Sequence, residues 1–311
     1  MTKNSRMDKI DNKYKFHLDK SKKCAIKNTK INKDAINKCS IDNHIDKKNI
    51  TNNVLILMKD GGIDLDMFAI KIRDYDDTNE NRNMMKNFWI EVERLILGIE
   101  LFQQKDFIHH DIKPQNILFD EKKMRLNYID FGLSESLNKL KTESINSENR
   151  QSHEWWSYPP EYKYANKKKY NLYHTSLELS DYENIVSTLS TIDKDSYDPD
   201  KISTHLRGFL SYVVFWKDKY VEDLKWLYTN GLDDYDLLID KCFKTFDIYG
   251  LGFTLLLISD SGRHLIDPIL FYDLRHLFYK TITPIYSDRI EINELVKEYK
   301  KLLLINDLIT Y

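Results

Sequence analysis

Four polar residues have the types and offsets to move a phosphoryl group. Three lie in the stretch Phe107-Ile-His-His-Asp-Ile-Lys-Pro-Gln-Asn-Ile-Leu-Phe119, and the fourth opens the tripeptide Asp130-Phe-Gly132. Such a transfer asks little covalent chemistry of a protein and depends on placing a few charges around the phosphate. Asp111 is placed to accept the proton of an attacking hydroxyl, and Lys113, two residues on, to neutralise charge on the transferring group. Asn116 and Asp130 offer the hard oxygen ligands that Mg²⁺ prefers. These residues need elements that hold them together. Ile117-Leu-Phe119 and the alternating Leu126-Asn-Tyr-Ile129 predict two short strands around a turn at Asp120-Glu-Lys-Lys123, which would bring Asn116 and Asp130 to one end. Phe88, Val92, Leu95, Ile96, Ile99 and Phe102 recur at helical spacing and predict a helix over 87–104 leading into the loop.

At these positions the chain resembles the eukaryotic-type protein kinase family, whose catalytic loop reads H-R-D-x-K-x-x-N and whose metal-binding turn reads D-F-G. Downstream, Pro159-Pro-Glu161 stands where the family has A-P-E, Asp247-Ile-Tyr-Gly-Leu-Gly252 where it has D-x-W-x-x-G, and Arg289 where it pairs an Arg with the A-P-E glutamate. Upstream, the apolar run Val54-Leu-Ile-Leu-Met58 followed by Lys59-Asp-Gly-Gly-Ile-Asp-Leu65 predicts a buried strand, a glycine turn and a helix, and is similar to the hinge of haspin-like kinases. The resemblance implies an α+β, bilobal protein kinase-like fold with a mainly helical C-terminal lobe. It implies ATP and Mg²⁺ as cofactors, with the Lys59 carbonyl and Gly61 amide bonding adenine and Met58 at the back of the pocket. Lys113 resembles the serine/threonine branch, so the implied partner is a protein substrate with a Ser or Thr acceptor.

Three departures from the family pattern shape the expectation. The first glycine is Gly61 and the first glutamate Glu80, so a Gly-rich loop and a Lys–Glu pair ahead of the hinge are both missing. Lys23-Cys-Ala-Ile-Lys27 resembles the family's V-A-I-K strand, read as a hairpin with Tyr14-Lys-Phe-His-Leu18, with Lys27 as the phosphate-contacting residue and Asp42 or Asp46 as its partner. His110 replaces the family's Arg, which predicts activity independent of phosphorylation on segment 133–158. The 85 residues from 162 to 246 form an insertion, expected as helices packed on the large lobe beside the substrate-facing surface. Its apolar stretch His205-Leu-Arg-Gly-Phe-Leu-Ser-Tyr-Val-Val-Phe-Trp216 is too hydrophobic for a disordered linker, and serves either a partner or the core.

With 311 residues, 41% of them hydrophobic and 13% aromatic, the chain fits one kinase-like domain over 1–311: a reduced small lobe at 1–58, a hinge at 59–65, and a large lobe at 66–311. The first 60 residues hold 15 Lys and Arg against 7 Asp, while the remainder is net acidic. This basic segment reads as the solvated face of a small lobe rather than a nucleic-acid surface. Cys24, Cys39 and Cys242 have neither metal spacing nor the number for a disulfide framework, which fits a reducing compartment. No apolar run is read as approaching the roughly 18 residues needed to cross a bilayer, and no signal-peptide core is seen, so a soluble intracellular protein without membrane contact is expected. The Asn-, Lys- and Ile-rich composition resembles AT-rich genomes such as those of large DNA viruses, implying host cytoplasm or virion. Oligomeric state is not legible. Two functions follow: a serine/threonine protein kinase with Asp111 as base, or a pseudokinase that binds or scaffolds without turnover.

Overall fold

The computed structural model describes residues 15–18, 22–38, 46–146, 157–173, 219–227, 229 and 234–310. In chain order its strands and α-helices are β1 (Lys22–Ala25), α1 (Lys30–Asn37), β2 (Val54–Leu57), β3 (Ile63–Asp64), α2 (Leu65–Arg73), α3 (Asn79–Gln104), β4 (Ile117–Asp120), β5 (Arg125–Tyr128), α4 (Leu137–Asn146), α5 (Lys167–Tyr173), α6 (Tyr235–Ser261), α7 (Pro268–Ile282) and α8 (Ile292–Ile305). A further helical stretch covers 219–227. Two small antiparallel sheets and many helices make an α+β fold.

The β4–β5 hairpin forms because its alternating residues have a core to enter: Ile117, Phe119, Leu126 and Tyr128 are fully buried. Its register pairs Ile117 with Tyr128 and Asp120 with Arg125. The turn is closed by the Asp120 carboxylate, which accepts from the Lys122 and Lys123 amides at 3.1 and 3.2 Å. On the other edge of β4 sits β3, whose Asp64 ends the strand and caps α2 by accepting from the Met67 amide at 2.9 Å. Gly62 makes this junction possible. Its φ is 93°, and a Cβ there would lie 2.0 Å from the Phe119 carbonyl oxygen.

Helix α3 starts eight residues earlier than the apolar spacing predicts, because the Thr78 hydroxyl caps it through the Asn81 amide and Met84 and Met85 extend the buried stripe backwards. At the centre lies α6, of 27 residues. The sequence reading of no long apolar run is corrected here: one 18-residue window of α6 has mean hydropathy 1.3, long and apolar enough to cross a membrane, yet 94% of it is buried inside the fold. It is wrapped by α2, α3, α4 and α7, so the stretch from Thr245 onward is mostly apolar for the reason core helices are.

The amino-terminal elements differ from expectation in two ways. Strand β2 exists but is open at both ends: among the described residues it pairs only with β1, and Val54, Leu57 and the following Met58 are more than half exposed. Helix α1, capped by Thr29, buries no residue, so among the described residues no second layer covers this sheet. Met58 is therefore open rather than at the back of a closed pocket. The expected hairpin between 14–18 and 23–27 is also replaced. Tyr14 lies outside the described residues, and 15–18 run instead along β5, where the Tyr128 amide donates to the Phe16 carbonyl at 2.8 Å. Phe16 is wholly buried there, edge-on to Phe102 at 4.9 Å, which an open two-stranded sheet could not match.

Of the 162–246 segment, 162–173, 219–227, 229 and 234–246 are described; the 205–216 stretch lies outside the described residues. In 219–227, Tyr220 and Leu224 enter the main core and Leu227 a second cluster with Tyr162, Tyr164 and Phe243.

Candidate active site

The loop between α3 and β4 turns back on itself at Pro114–Asn116, where proline opens a single 3₁₀ turn. That turn presents Asn116 to Asp111. The Asn116 amide nitrogen donates to both the Asp111 carboxylate and the Asp111 carbonyl, each at 2.8 Å. Lys113 Nζ reaches the same carboxylate at 2.9 and 3.0 Å. Asp111 is 6% exposed, so its charge is held by two donors in a largely dry place, with Lys113 partly open to solvent. Next to it, the Ile129 amide donates to the Asn116 carbonyl at 3.0 Å, which sets Asp130 one residue from the loop. Asp130 adopts φ 56°, ψ 65°, and its exposed carboxylate accepts from the Gly132 amide at 3.2 Å. The four predicted residues are thus assembled as the hairpin argument required.

This donor set fits Mg²⁺. Asn116 spends its NH₂ on Asp111, which leaves its side-chain carbonyl oxygen for a cation, and Asp130 supplies a solvent-facing carboxylate. Among the described residues no cluster of three or more His, Cys, Asp or Glu forms a metal cage. Mg²⁺ is commonly held by one or two protein oxygens together with phosphates, so a cage is not required.

Beneath the loop lies Asp247 on α6. Its two oxygens accept from the His109 and His110 amides at 2.8 and 2.9 Å. Burial pushes the Asp247 carboxyl up to about 7, against the pull of those two N–H groups and with help from the nearby Asp111 charge. The His109 ring bonds the Ile129 carbonyl through Nε2 at 2.9 Å, which makes Nε2 the protonated nitrogen; buried Nδ1 has no hydrogen-bond partner among the described residues. Burial lowers His109 to about 4, so it is neutral at pH 7. Phe131 packs on its face at 4.7 Å.

His110 is enclosed by aromatic rings. It stacks on Tyr158 with ring planes 7° apart, meets Phe246 at 4.7 Å, and bonds the Tyr162 hydroxyl through Nε2 at 3.1 Å. The Tyr158 hydroxyl donates to the His110 carbonyl at 3.2 Å, tying the end of the 133–158 segment to the loop. Close by, Glu161 and Arg289 form a bidentate pair at 2.7 and 3.0 Å with both side chains fully buried.

The amino-terminal candidates stand apart. Gly61 is buried against Leu118 of β4, and Lys59 is exposed beside it. Lys27 lies two residues past β1, is exposed, and makes no ion pair among the described residues. Asp46 spends its carboxylate on the Asn49 amide and the Asn52 side chain, at 2.8 and 2.7 Å, and Asp42 lies outside the described residues. The reading of Asp46 as a partner for Lys27 is thus corrected: the shorter carboxylate braces its own loop. Sequence reasoning also missed Phe16 and His17. A signal existed in Gly98, a lone glycine inside α3, where a Cβ would meet the Phe16 ring at 3.0 Å.

Residues 9–175, just over half of the chain, match the family described as protein kinase domain. A probable casein kinase I homolog of Encephalitozoon cuniculi is 29% identical over 73 residues, 24% of this chain and 24% of its own. The serine/threonine-protein kinase ATG1a of Arabidopsis thaliana is 44% identical over 48 residues, 15% of this chain and 8% of its own. A probable cell division protein kinase of E. cuniculi is 29% identical over 123 residues, 37% of this chain and 44% of its own. The matched stretches therefore span less than half of each of these relatives.

Proposed function

The chain belongs to the protein kinase domain family, and on that premise we propose that it is a serine/threonine protein kinase that transfers the γ-phosphate of ATP to a protein hydroxyl. The observation that carries this reading is the clasp on Asp111. A buried carboxylate held by Lys113 and Asn116 has a fixed direction beside a cation, which is what accepting a Ser or Thr proton requires. Lys113 sits on the same carboxylate and can follow negative charge onto the transferred group, since its side chain keeps access to solvent. Asn116 and Asp130 are the proposed Mg²⁺ ligands, and Mg²⁺ supplies charge neutralisation on the phosphate oxygens. The Lys59 carbonyl and Gly61 amide are proposed to bond adenine in a haspin-like hinge at 59–65. In this division 1–58 is a reduced small lobe, 66–311 the large lobe and 162–246 an insertion. The composition keeps a large DNA virus as the proposed source.

A second reading, a pseudokinase, is favoured by the exposed Lys27 and by the exposed Val54 and Leu57 of β2. One experiment separates the two. The full chain with Mg²⁺ and γ-labelled ATP, given casein as acceptor, is expected to transfer label, and Asp111→Asn to lose transfer while keeping its thermal unfolding transition. Equal labelling by the variant would remove Asp111 from the chemistry; binding of ATP without transfer by the wild type would establish the pseudokinase.

A further inference from the structure

Among the described residues, Asp130 is fixed by little that is polar. Its carboxylate is exposed, it accepts one hydrogen bond from the Gly132 amide, and its backbone sits at φ 56°, a region that side chains visit at some cost. What fixes it is its neighbour Phe131, 6% exposed and walled by Phe102 at 6.1 Å, Phe107 at 6.2 Å, His109 at 4.7 Å and His17 at 6.4 Å. Three of these walls belong to α3 and the loop that follows it. The fourth comes from residues more than a hundred positions upstream.

We propose that residues 15–18 are a strap that positions Asp130 for its divalent cation, with Phe16 as the seat and His17 as the wall against Phe131. The inference rests on the kinase reading of Asp130. Each residue of the strap touches a different part of the site. The Lys15 carbonyl accepts from Arg94 at 2.8 Å and Arg125 at 3.3 Å, so α3 and β5 grip it together. Phe16 fills the notch left by Gly98, and its carbonyl takes the Tyr128 amide, extending the β3–β4–β5 sheet by a short fourth edge. His17 meets Phe131 edge-on, with ring planes 85° apart. Leu18 packs where a Cβ on Gly61 would fall, at 2.9 Å, which links the strap to the hinge segment. Loss of the His17 ring would leave Phe131 open on one side and widen the range of positions open to Asp130, at modest cost to the fold, since His17 is only partly buried.

The test follows binding of Mn²⁺, as a paramagnetic stand-in for Mg²⁺, to the full chain with a non-hydrolysable ATP analogue, reading free Mn²⁺ by electron paramagnetic resonance. Asp130→Asn and His17→Ala are both expected to weaken binding, the latter about tenfold, the scale seen when a residue that supports a metal ligand is lost. His17→Phe keeps a ring edge on Phe131 and is expected to restore wild-type binding, a rescue that a general loss of stability would not give. Should His17→Ala lose its cooperative unfolding, Phe16→Leu, which keeps the seat apolar while withdrawing the ring from Phe102, carries the same expectation. Wild-type binding by His17→Ala alongside weakened Asp130→Asn would overturn the strap and leave the kinase reading standing. Unchanged binding by Asp130→Asn would overturn the metal role of Asp130 and the strap with it.

Discussion

Asp111 and Glu161 are both buried carboxylates held by cations, yet the two pairs do different work. Lys113 keeps a partly exposed ammonium that can turn toward a substrate, whereas Arg289 is fully enclosed and also bonds the Thr245 hydroxyl, the Thr283 carbonyl and the face of Tyr249. Glu161→Ala would leave that guanidinium buried without its counter-charge and is expected to cost roughly 3–5 kcal/mol by urea unfolding. Adding Arg289→Met should recover part of the loss; no recovery would mean the pair acts mainly through packing. His109 supplies a pH test. Its folded-state pKa of about 4 lies below the unfolded value of 6.5, so the folded chain binds fewer protons in between. The stability advantage of neutral His109 is complete above about 6.5 and is lost as pH falls toward 4. The wild type is therefore expected to lose stability relative to His109→Gln between pH 7 and 5. Asp247, raised to about 7, works in the opposite direction but is present in both proteins. A constant difference between the two would show that His109 is not held neutral. At this scale the placement of Asp111, Lys113, Asn116 and Asp130 at one end of the hairpin was legible because these residues lie close in sequence. The contact of His17 with Phe131 was not, because the two rings are more than a hundred residues apart.

The elements around the site explain why a histidine serves at position 110. An arginine there would suit a phosphate; His110 instead sits among Tyr158, Tyr162 and Phe246, with its ring nitrogen already bonded to a tyrosine hydroxyl. The end of the 133–158 segment is thus held by aromatic contact rather than by an added charge. Phosphatase treatment of the purified chain is expected to leave turnover unchanged, while Phe246→Ala should lower it by loosening Tyr158 and Tyr162. A phosphatase-sensitive enzyme would refute the first expectation. The β4–β5 hairpin and α3 were readable from period and turn chemistry, though α3 began at its Thr78 cap rather than at its first strong apolar repeat. The partner of 15–18 was not readable, since the alternation of Phe16 and Leu18 says that a strand exists but not which edge receives it.

The molecule as a whole is uneven in its burial. Helix α6 is buried almost throughout from Thr245 to Ser261, while α1 buries nothing and β1–β2 leaves Val54 and Leu57 open. Local opening follows few buried contacts, so amides of β1 and β2 are expected to exchange with deuterium well before those of α6, and Mg²⁺-ATP to slow them if the sheet closes on nucleotide. Equal protection of the two regions would contradict that picture. The length and apolarity of α6 alone would suit a membrane span; only the packing of α2, α3, α4 and α7 around it tells the two uses apart.

The bond from the Tyr128 amide to the Phe16 carbonyl also sets an order of events in time. The β4–β5 hairpin and α3 close loops of a few to a few tens of residues, but Phe16 must return across the length of chain that separates it from β5, a search whose entropy is spent before any contact rewards it. The Phe16 contact is thus expected to form after the local β4–β5 hairpin and helix α3, and a refolding chain would show native helicity before it shows a Phe16-dependent grip on Mn²⁺.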